Sequence, residues 1–193
     1  MEKESDKIKP EELRVEKLGE VHKEIIGEFR SYEKELVDFL IEDAFNQQSR
    51  KISVTYLWFL RKTNDLVAYI TLSPDCVKLK NIDSQLCQTF RDKGINYKSL
   101  PAIKIGRLCV DDRFLRRGLG TLLIQFVISI GNKISNMAGC RFVYLDAKRN
   151  SDSSKDAIHF YTRLGFQYYK DKNSKETPMY LDLFPFINEL ADQ

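Results

Sequence analysis

Apolar residues along this chain change their spacing several times, and each change marks an element. "LRVEKL", Leu13 to Leu18, alternates apolar and polar, the period of a half-buried strand. In "SYEKELVDFLIEDAFNQQ" the residues Tyr32, Leu36, Phe39, Leu40 and Ala44 fall at helical spacing, which predicts an amphipathic helix. "SVTYLWFL" and "LVAYITLS" are rich in β-branched and aromatic residues, and the polar "RKTND" between them predicts a hairpin. From Asp75 to Leu100 the pattern is mixed and charged, and an irregular or partly helical insertion is expected. "AIKIGRLCV", Ala102 to Val110, is another strand. From Leu119 the apolar positions Leu122, Leu123, Phe126, Val127, Ile130 and Ile134 follow the i, i+3, i+4, i+7 rule of a helix. "RFVYLDA" reads as a buried strand. "SSKDAIHFYTRLGF" reads as a helix that begins near Ser153 or Ser154 and closes at Gly165. "FQYY" and "TPMYLDLF" are two short last strands around a polar loop. The order β, α, hairpin, insertion, β, α, β, α, β, β predicts an α/β (α+β) fold, a mixed central β-sheet flanked by helices.

Composition narrows the function classes. The chain has 193 residues, 42% of them hydrophobic, which suits a single domain over residues 12–193 behind a polar, disordered segment at 1–11. A net charge of +3 permits an anionic ligand without the strong basic stripe of a dedicated nucleic-acid binder. Cys76, Cys87, Cys109 and Cys140 show no CxxC spacing, and "MEKESDKIKP" lacks the apolar core of a secretion signal. Free thiols in a reducing cytoplasm are the expectation. No apolar run reaches the roughly 18 residues a membrane span needs, and no metal is expected.

The stretch with most chemistry is "DDRFLRRGLGTLL", Asp111 to Leu123. The helix after it begins at about Leu119, and its first N–H groups have no partner within the helix. The helix dipole adds partial positive charge there. Gly118 and Gly120 let the backbone curl around an anion, and Arg116 and Arg117 add charge. A Walker loop needs Lys after its last glycine, but Thr121 follows Gly120. A dinucleotide fingerprint needs a third glycine near Leu123. Both fail. The loop alone is equally well a tight turn with solvent-facing arginines.

Context separates these readings. The strand "IKIGRLCV", the loop, the following helix and "FYTRLGF" at Phe160–Phe166 resemble the GNAT superfamily of acyl-CoA-dependent N-acyltransferases. In that family a Q/R-x-x-G-x-G/A signature cradles the coenzyme A pyrophosphate. Its six positions here are Leu115 to Gly120. Gly118 and Gly120 match, and Leu115 replaces the opening Gln or Arg. "FYTRLGF" matches the family's FYxxxGF segment fully. "FLIEDAFNQQSRKISVTYL", "AYITLS", "PAIKIGRLCVDDRF" and "CRFVYLDAK" resemble the branch holding toxins that acetylate the α-amine of aminoacyl-tRNA, along with many stand-alone proteins.

The resemblance implies a GNAT fold, acetyl-CoA as cosubstrate and a site along the chain. Leu108, Cys109 and Val110 would lie beside the pantetheine arm, with the Leu108 and Val110 N–H groups as donors to the thioester carbonyl. Arg116, Arg117, Gly118, Leu119, Gly120 and Thr121 would form the pyrophosphate cradle. Asn150 and Ser154 would contact the CoA phosphate arm, although Ser154 also suits an ordinary helix cap. Tyr161 would protonate the departing thiolate, and a phenol with an ordinary pKa near about 10 is matched to that task. Phe160 is expected on the core face of its helix, and His159 at the surface.

No acid stands on "AIKIGRL" to serve as a base, and Glu42 and Asp43 are unsupported alternatives. An α-amine, with a pKa near about 8, needs less help than a lysine at about 10.4. Three functions follow. One is an acetyltransferase of a small or protein amine; one is a toxin acetylating aminoacyl-tRNA, with tRNA, an antitoxin or a second copy as partners. The third is a non-catalytic CoA-binding module, which the intact Tyr161 segment opposes and Leu115 mildly favours. A tRNA reader needs a basic face. Lys78, Lys80, Arg91, Lys93 and Lys98 offer one in the insertion, diluted by Asp75, Asp83 and Asp92.

Overall fold

The computed structural model describes residues 7–148, 157–170 and 176–185. Its strands are β1 (Leu13–Lys17), β2 (Val54–Leu60), β3 (Leu66–Lys78), β4 (Ser99–Val110), β5 (Phe142–Ala147), β6 (Gln167–Tyr168) and β7 (Thr177–Asp182). They are hydrogen-bonded in the order β1-β2-β3-β4-β5-β7-β6. β1–β2 and β2–β3 are antiparallel, β4–β5 is parallel, and β7 runs antiparallel to both β5 and β6. The sheet is therefore mixed, as expected. The chain divides into two compact units, one holding residues up to Ser73 with Gly106–Phe126, the other Pro74–Ile105 with Val127 onward.

In the first unit the hairpin β2–β3 is the base. Short helices α1 (Lys23–Ile26), α2 (Lys34–Asp38) and α3 (Ala44–Ser49) pack on it. Between α2 and α3 the chain makes a π-helical turn, Phe39–Asp43, in which the Ala44 N–H donates to the Phe39 carbonyl. The single helix expected here is thus interrupted. The wider turn lets both Phe39 and Leu40 bury and still brings Ala44 inward. Tyr32, counted with that helix in the sequence, lies before it and is exposed. The core joins Leu18, Ile26, Phe29, Leu57, Tyr69 and Cys109 with these residues. Within the stretch expected to fray, Ile8 is 4% exposed, and its N–H donates to the Arg117 carbonyl at 3.0 Å.

In the second unit, the insertion holds more regular structure than its polar sequence suggested. β3 continues through Lys78, a 3-10 turn spans Leu79–Asn81, and α4 covers Ser84–Asp92. Asp83 starts α4, its carboxylate accepting from the Gln85 and Leu86 N–H groups. Val77, Leu79, Ile82, Cys87 and Phe90 form one core with Ala102, Phe142 and Tyr180. The parallel ladder of β4 with β5 runs from Ala102↔Phe142 to Ile105↔Leu145. Two further helices are α5 (Leu119–Ala138), which passes from the first unit into the second, and α6 (Ala157–Arg163). The expected start of α6 at Ser153 or Ser154 lies outside the described residues. No helix among the described residues is long and apolar enough to cross a membrane.

Candidate active site

In the first unit, the end of β4 runs through a tight loop into α5. Asp111 organises that loop. Its carboxylate is fully buried and accepts from the Arg30 N–H (2.9 Å), the Arg113 N–H (3.0 Å) and the Arg113 guanidinium at 2.8 and 3.0 Å. Burial alone raises its pKa. The Arg113 guanidinium and the two backbone donors outweigh that and hold the carboxyl below its ordinary value. The Asp112 N–H in turn donates to the Arg30 carbonyl at 2.9 Å. Asp111 is therefore a clamp and not a base. Its role was readable only in part, from an Asp two residues before Arg113, the pattern of an Asx turn.

The backbone direction along β4 follows from the same anchor. The Asp111 N–H donates to the Val67 carbonyl on β3 at 2.9 Å. N–H groups alternate sides along a strand, so those of Cys109 and Arg107 also face β3. Those of Leu108 and Val110 face away from it. Leu108 and Val110 are half-buried, and Cys109 is buried in the core. Burial pushes the Cys109 thiol up to about 11, so it stays protonated.

After Asp111 the chain turns sharply. Arg116 (φ 62°) and Gly118 (φ 83°) both take the left-handed conformation just ahead of Leu119, the first residue of α5. Glycine suits position 118 because a Cβ there is strained. It is also open: the nearest atom to an added Cβ is Lys7 Cγ, at 4.0 Å. Gly120 and Thr121 fall in the first turn of α5, and the Leu122 N–H reaches the Gly118 carbonyl at 3.3 Å. A twenty-residue helix thus begins directly behind a backbone turn that is open at Gly118. The Arg117 and Arg113 guanidiniums lie 5.8 and 5.5 Å from the centre of the Phe114 ring. Leu115, where the signature expects Gln or Arg, is 41% exposed.

The sequence missed Tyr32. Its pKa is raised, first by burial and then by Glu33, Cys109 and Asp112, with Arg116 opposing, which places this exposed phenol beside the loop. Glu42 and Asp43 both face solvent.

Tyr161 belongs to the second unit. Its ring is 8% exposed, edge-to-face with Phe160 at 5.1 Å and Phe166 at 5.4 Å. Phe160, expected on the core face, is only half-buried, and Tyr161 is the more deeply buried of the two. Desolvation raises the Tyr161 pKa well above the ordinary tyrosine value assumed from sequence. α6 ends in a Schellman turn: the Phe166 N–H donates to the Tyr161 carbonyl and the Gly165 N–H to that of Thr162, with Gly165 at φ 89°. His159 is exposed, as expected. Asn150 and Ser154 lie outside the described residues, and no group of His, Cys, Asp and Glu among the described residues suits a metal.

The end of β4 thus leads through a left-handed glycine directly into a twenty-residue helix. The chain belongs to the acetyltransferase (GNAT) family, whose sequence pattern matches residues 20–166. It is an N-acetyltransferase by class. A search of curated protein sequences finds no significant match. Among solved structures, a Tyr-to-Phe mutant of KacT is 25% identical with a TM-score of 0.76, over 93% of this chain and 99% of that one. AtaT complexed with acetyl-methionyl-tRNAfMet is 22% identical with a TM-score of 0.76, over 94% and 99%. AtaTR bound with acetyl-CoA is 23% identical with a TM-score of 0.73, over 94% and 99%.

Proposed function

We propose that this enzyme acetylates the α-amino group of aminoacyl-tRNA, with acetyl-CoA as donor. The carrying observation is the carboxylate inventory of β4 and its loop. Ala102–Val110 bears none, and Asp111 is committed to Arg113 and two backbone donors. An acceptor that is partly neutral without a base, such as an α-amine at about pKa 8, matches that inventory better than a lysine. The likeness to AtaT in complex with acetyl-methionyl-tRNAfMet supports the same acceptor.

Acetyl-CoA supplies an activated carbonyl and a thiolate leaving group. The N–H groups of Gly118 through Thr121 bind its pyrophosphate at the α5 terminus. The Leu108 and Val110 N–H groups, turned away from β3, polarise the thioester carbonyl. The amine nitrogen forms the C–N bond as the C–S bond breaks. Tyr161 gives its phenolic proton to the departing sulfur and recovers one from solvent, while the amine releases its proton to water. The enzyme acts in the cytoplasm, where both substrates occur.

The test is incubation with labelled acetyl-CoA and charged tRNA, beside a panel of small amines, N-terminal peptides and lysine peptides. Label on the aminoacyl ester of tRNA, and little elsewhere, is expected. Label on the lysine peptides alone overturns the reading. Label nowhere, with acetyl-CoA still bound, returns the chain to a CoA-binding module.

A further inference from the structure

The insertion between β3 and β4 encloses a pocket of about 540 Å³ whose lining includes Lys78, Lys80, Arg91 and Lys98 and no carboxylate. All four cations are exposed, and among the described residues none of them is in an ion pair. Two other cations of the same unit are matched: Lys104 pairs with Asp146 at 2.7 Å, and Arg141 with Asp182 at 2.8 Å. The acidic residues that dilute this stretch in the sequence are occupied. Asp83 caps α4, Asp92 accepts from Gln88, and Asp75 accepts from the Cys76 N–H. None of the three lines the pocket.

The pocket is also built. The Leu79 N–H donates to the Lys98 carbonyl at 3.0 Å and ties two walls together. The Lys78 N–H is held by the Tyr169 hydroxyl and the Asp83 N–H by the Tyr180 hydroxyl, each at 3.1 Å. Beneath lie the buried Leu79 and Cys87. At the rim, next to Asn96, Tyr97 is 71% exposed, a large flat ring turned mostly to solvent.

Four unmatched cations around one cavity suit a polyanion, and one ring at the rim offers a face to a base. We infer that this pocket binds the phosphates of a single-stranded RNA end, with a base stacked on Tyr97. Three observations favour RNA over a lone phosphate group: the number of cations, their distribution along three segments, and the exposed aromatic. The inference deepens the aminoacyl-tRNA reading by giving the acceptor a place to dock, and it rests on that reading for its substrate.

The experiment uses the full chain and deacylated tRNA, so that it needs no turnover. Binding to wild type should weaken steeply with salt. In the double variant Lys80→Gln/Lys98→Gln, binding should fall at least tenfold, and the slope of log affinity against log salt should drop by about two, one for each phosphate no longer neutralised. Tyr97→Ala should weaken binding about tenfold at every salt concentration. Acetyl-CoA affinity by calorimetry should not change in any variant. Wild-type tRNA binding in these variants overturns the inference. So does tripolyphosphate displacing a fluorescent probe at Cys76 as tightly as tRNA does, since that marks a small-polyphosphate site. If the variants lose tRNA while charged tRNA is never acetylated, the docking site stands and the proposed acceptor falls.

Discussion

The Phe166 N–H donates to the Tyr161 carbonyl at 3.1 Å, and the two rings meet edge to face with centroids 5.4 Å apart. These are the hydrogen bond and the apolar packing of one Schellman turn, made possible by Gly165 between them. An added Cβ at Gly165 would meet Leu181 Cδ1 at 3.4 Å as well as an unfavourable φ. The segment "FYTRLGF" is thus a helix terminator that fixes the Tyr161 ring. If the phenol is the proton donor, Tyr161→Phe should lower kcat by about 100-fold, the usual contribution of a positioned acid. Acetyl-CoA affinity and the melting temperature should stay near wild type, because the ring still packs. An unchanged kcat removes Tyr161 from the chemistry.

Burial raises the Tyr161 pKa, so the proton is in place throughout the neutral and mildly alkaline range. A dry setting raises the proton affinity of a departing thiolate too, which keeps the transfer from becoming steeply uphill. The pH profile should therefore report the acceptor. For an α-amine, kcat/KM should rise with an apparent pKa of about 8 and stay flat to about pH 10. A rise centred near about 10.4 would mark a lysine acceptor instead. Stability follows the opposite sign. The folded state holds this proton more tightly, so stability falls as pH climbs from about 10 through the raised folded value.

Strands and the long helix were legible because their periods are unbroken. Leu119 onward repeats the helical stripe, and α5 begins there. The insertion was not. Pro74 and Pro101 interrupt β3 and β4 in sequence, while α4 carries only two buried residues, Cys87 and Phe90. In the site, Gly118 and the Gly165 turn were readable because glycine at those backbone angles leaves a sequence mark. The choice between Phe160 and Tyr161 was not, since they point about 100° apart on the helix and its rotation about its own axis decides which one faces the core. Tyr32 was lost to a helical spacing that its neighbours satisfy without it.

Asp111 joins the β4 end to the Phe29–Arg30 segment through the buried carboxylate that Arg113 neutralises. Asp111→Ala leaves the Arg30 and Arg113 N–H groups without their acceptor and should cost about 3 kcal/mol in urea unfolding. The lowered pKa gives the direction in acid. The stabilisation is present above about pH 4, the unfolded value for Asp, and is lost as pH falls through the lower folded value. Stability curves of wild type and variant should therefore converge as the pH drops below about 4. Parallel curves across that range refute the clamp.

Gly118 tests the donor cradle most directly. Its φ of 83° is costly for any residue with a Cβ, and the space around it is open to Lys7 Cγ at 4.0 Å. Gly118→Ala therefore incurs conformational strain of about 1–2 kcal/mol without a collision inside the chain. Thermal unfolding should show that modest loss and no more. Acetyl-CoA binding should suffer further, because a methyl group stands where the backbone is proposed to meet the pyrophosphate. Gly118→Glu adds a negative charge at the same point and should abolish binding measurable by calorimetry. Neutralising Arg117 with Gln should have a smaller effect, since its guanidinium is directed at the Phe114 ring. The expected order of damage is Gly118→Glu, then Gly118→Ala, then Arg117→Gln. If Arg117→Gln proves the most harmful, side-chain charge and not the backbone turn holds the donor.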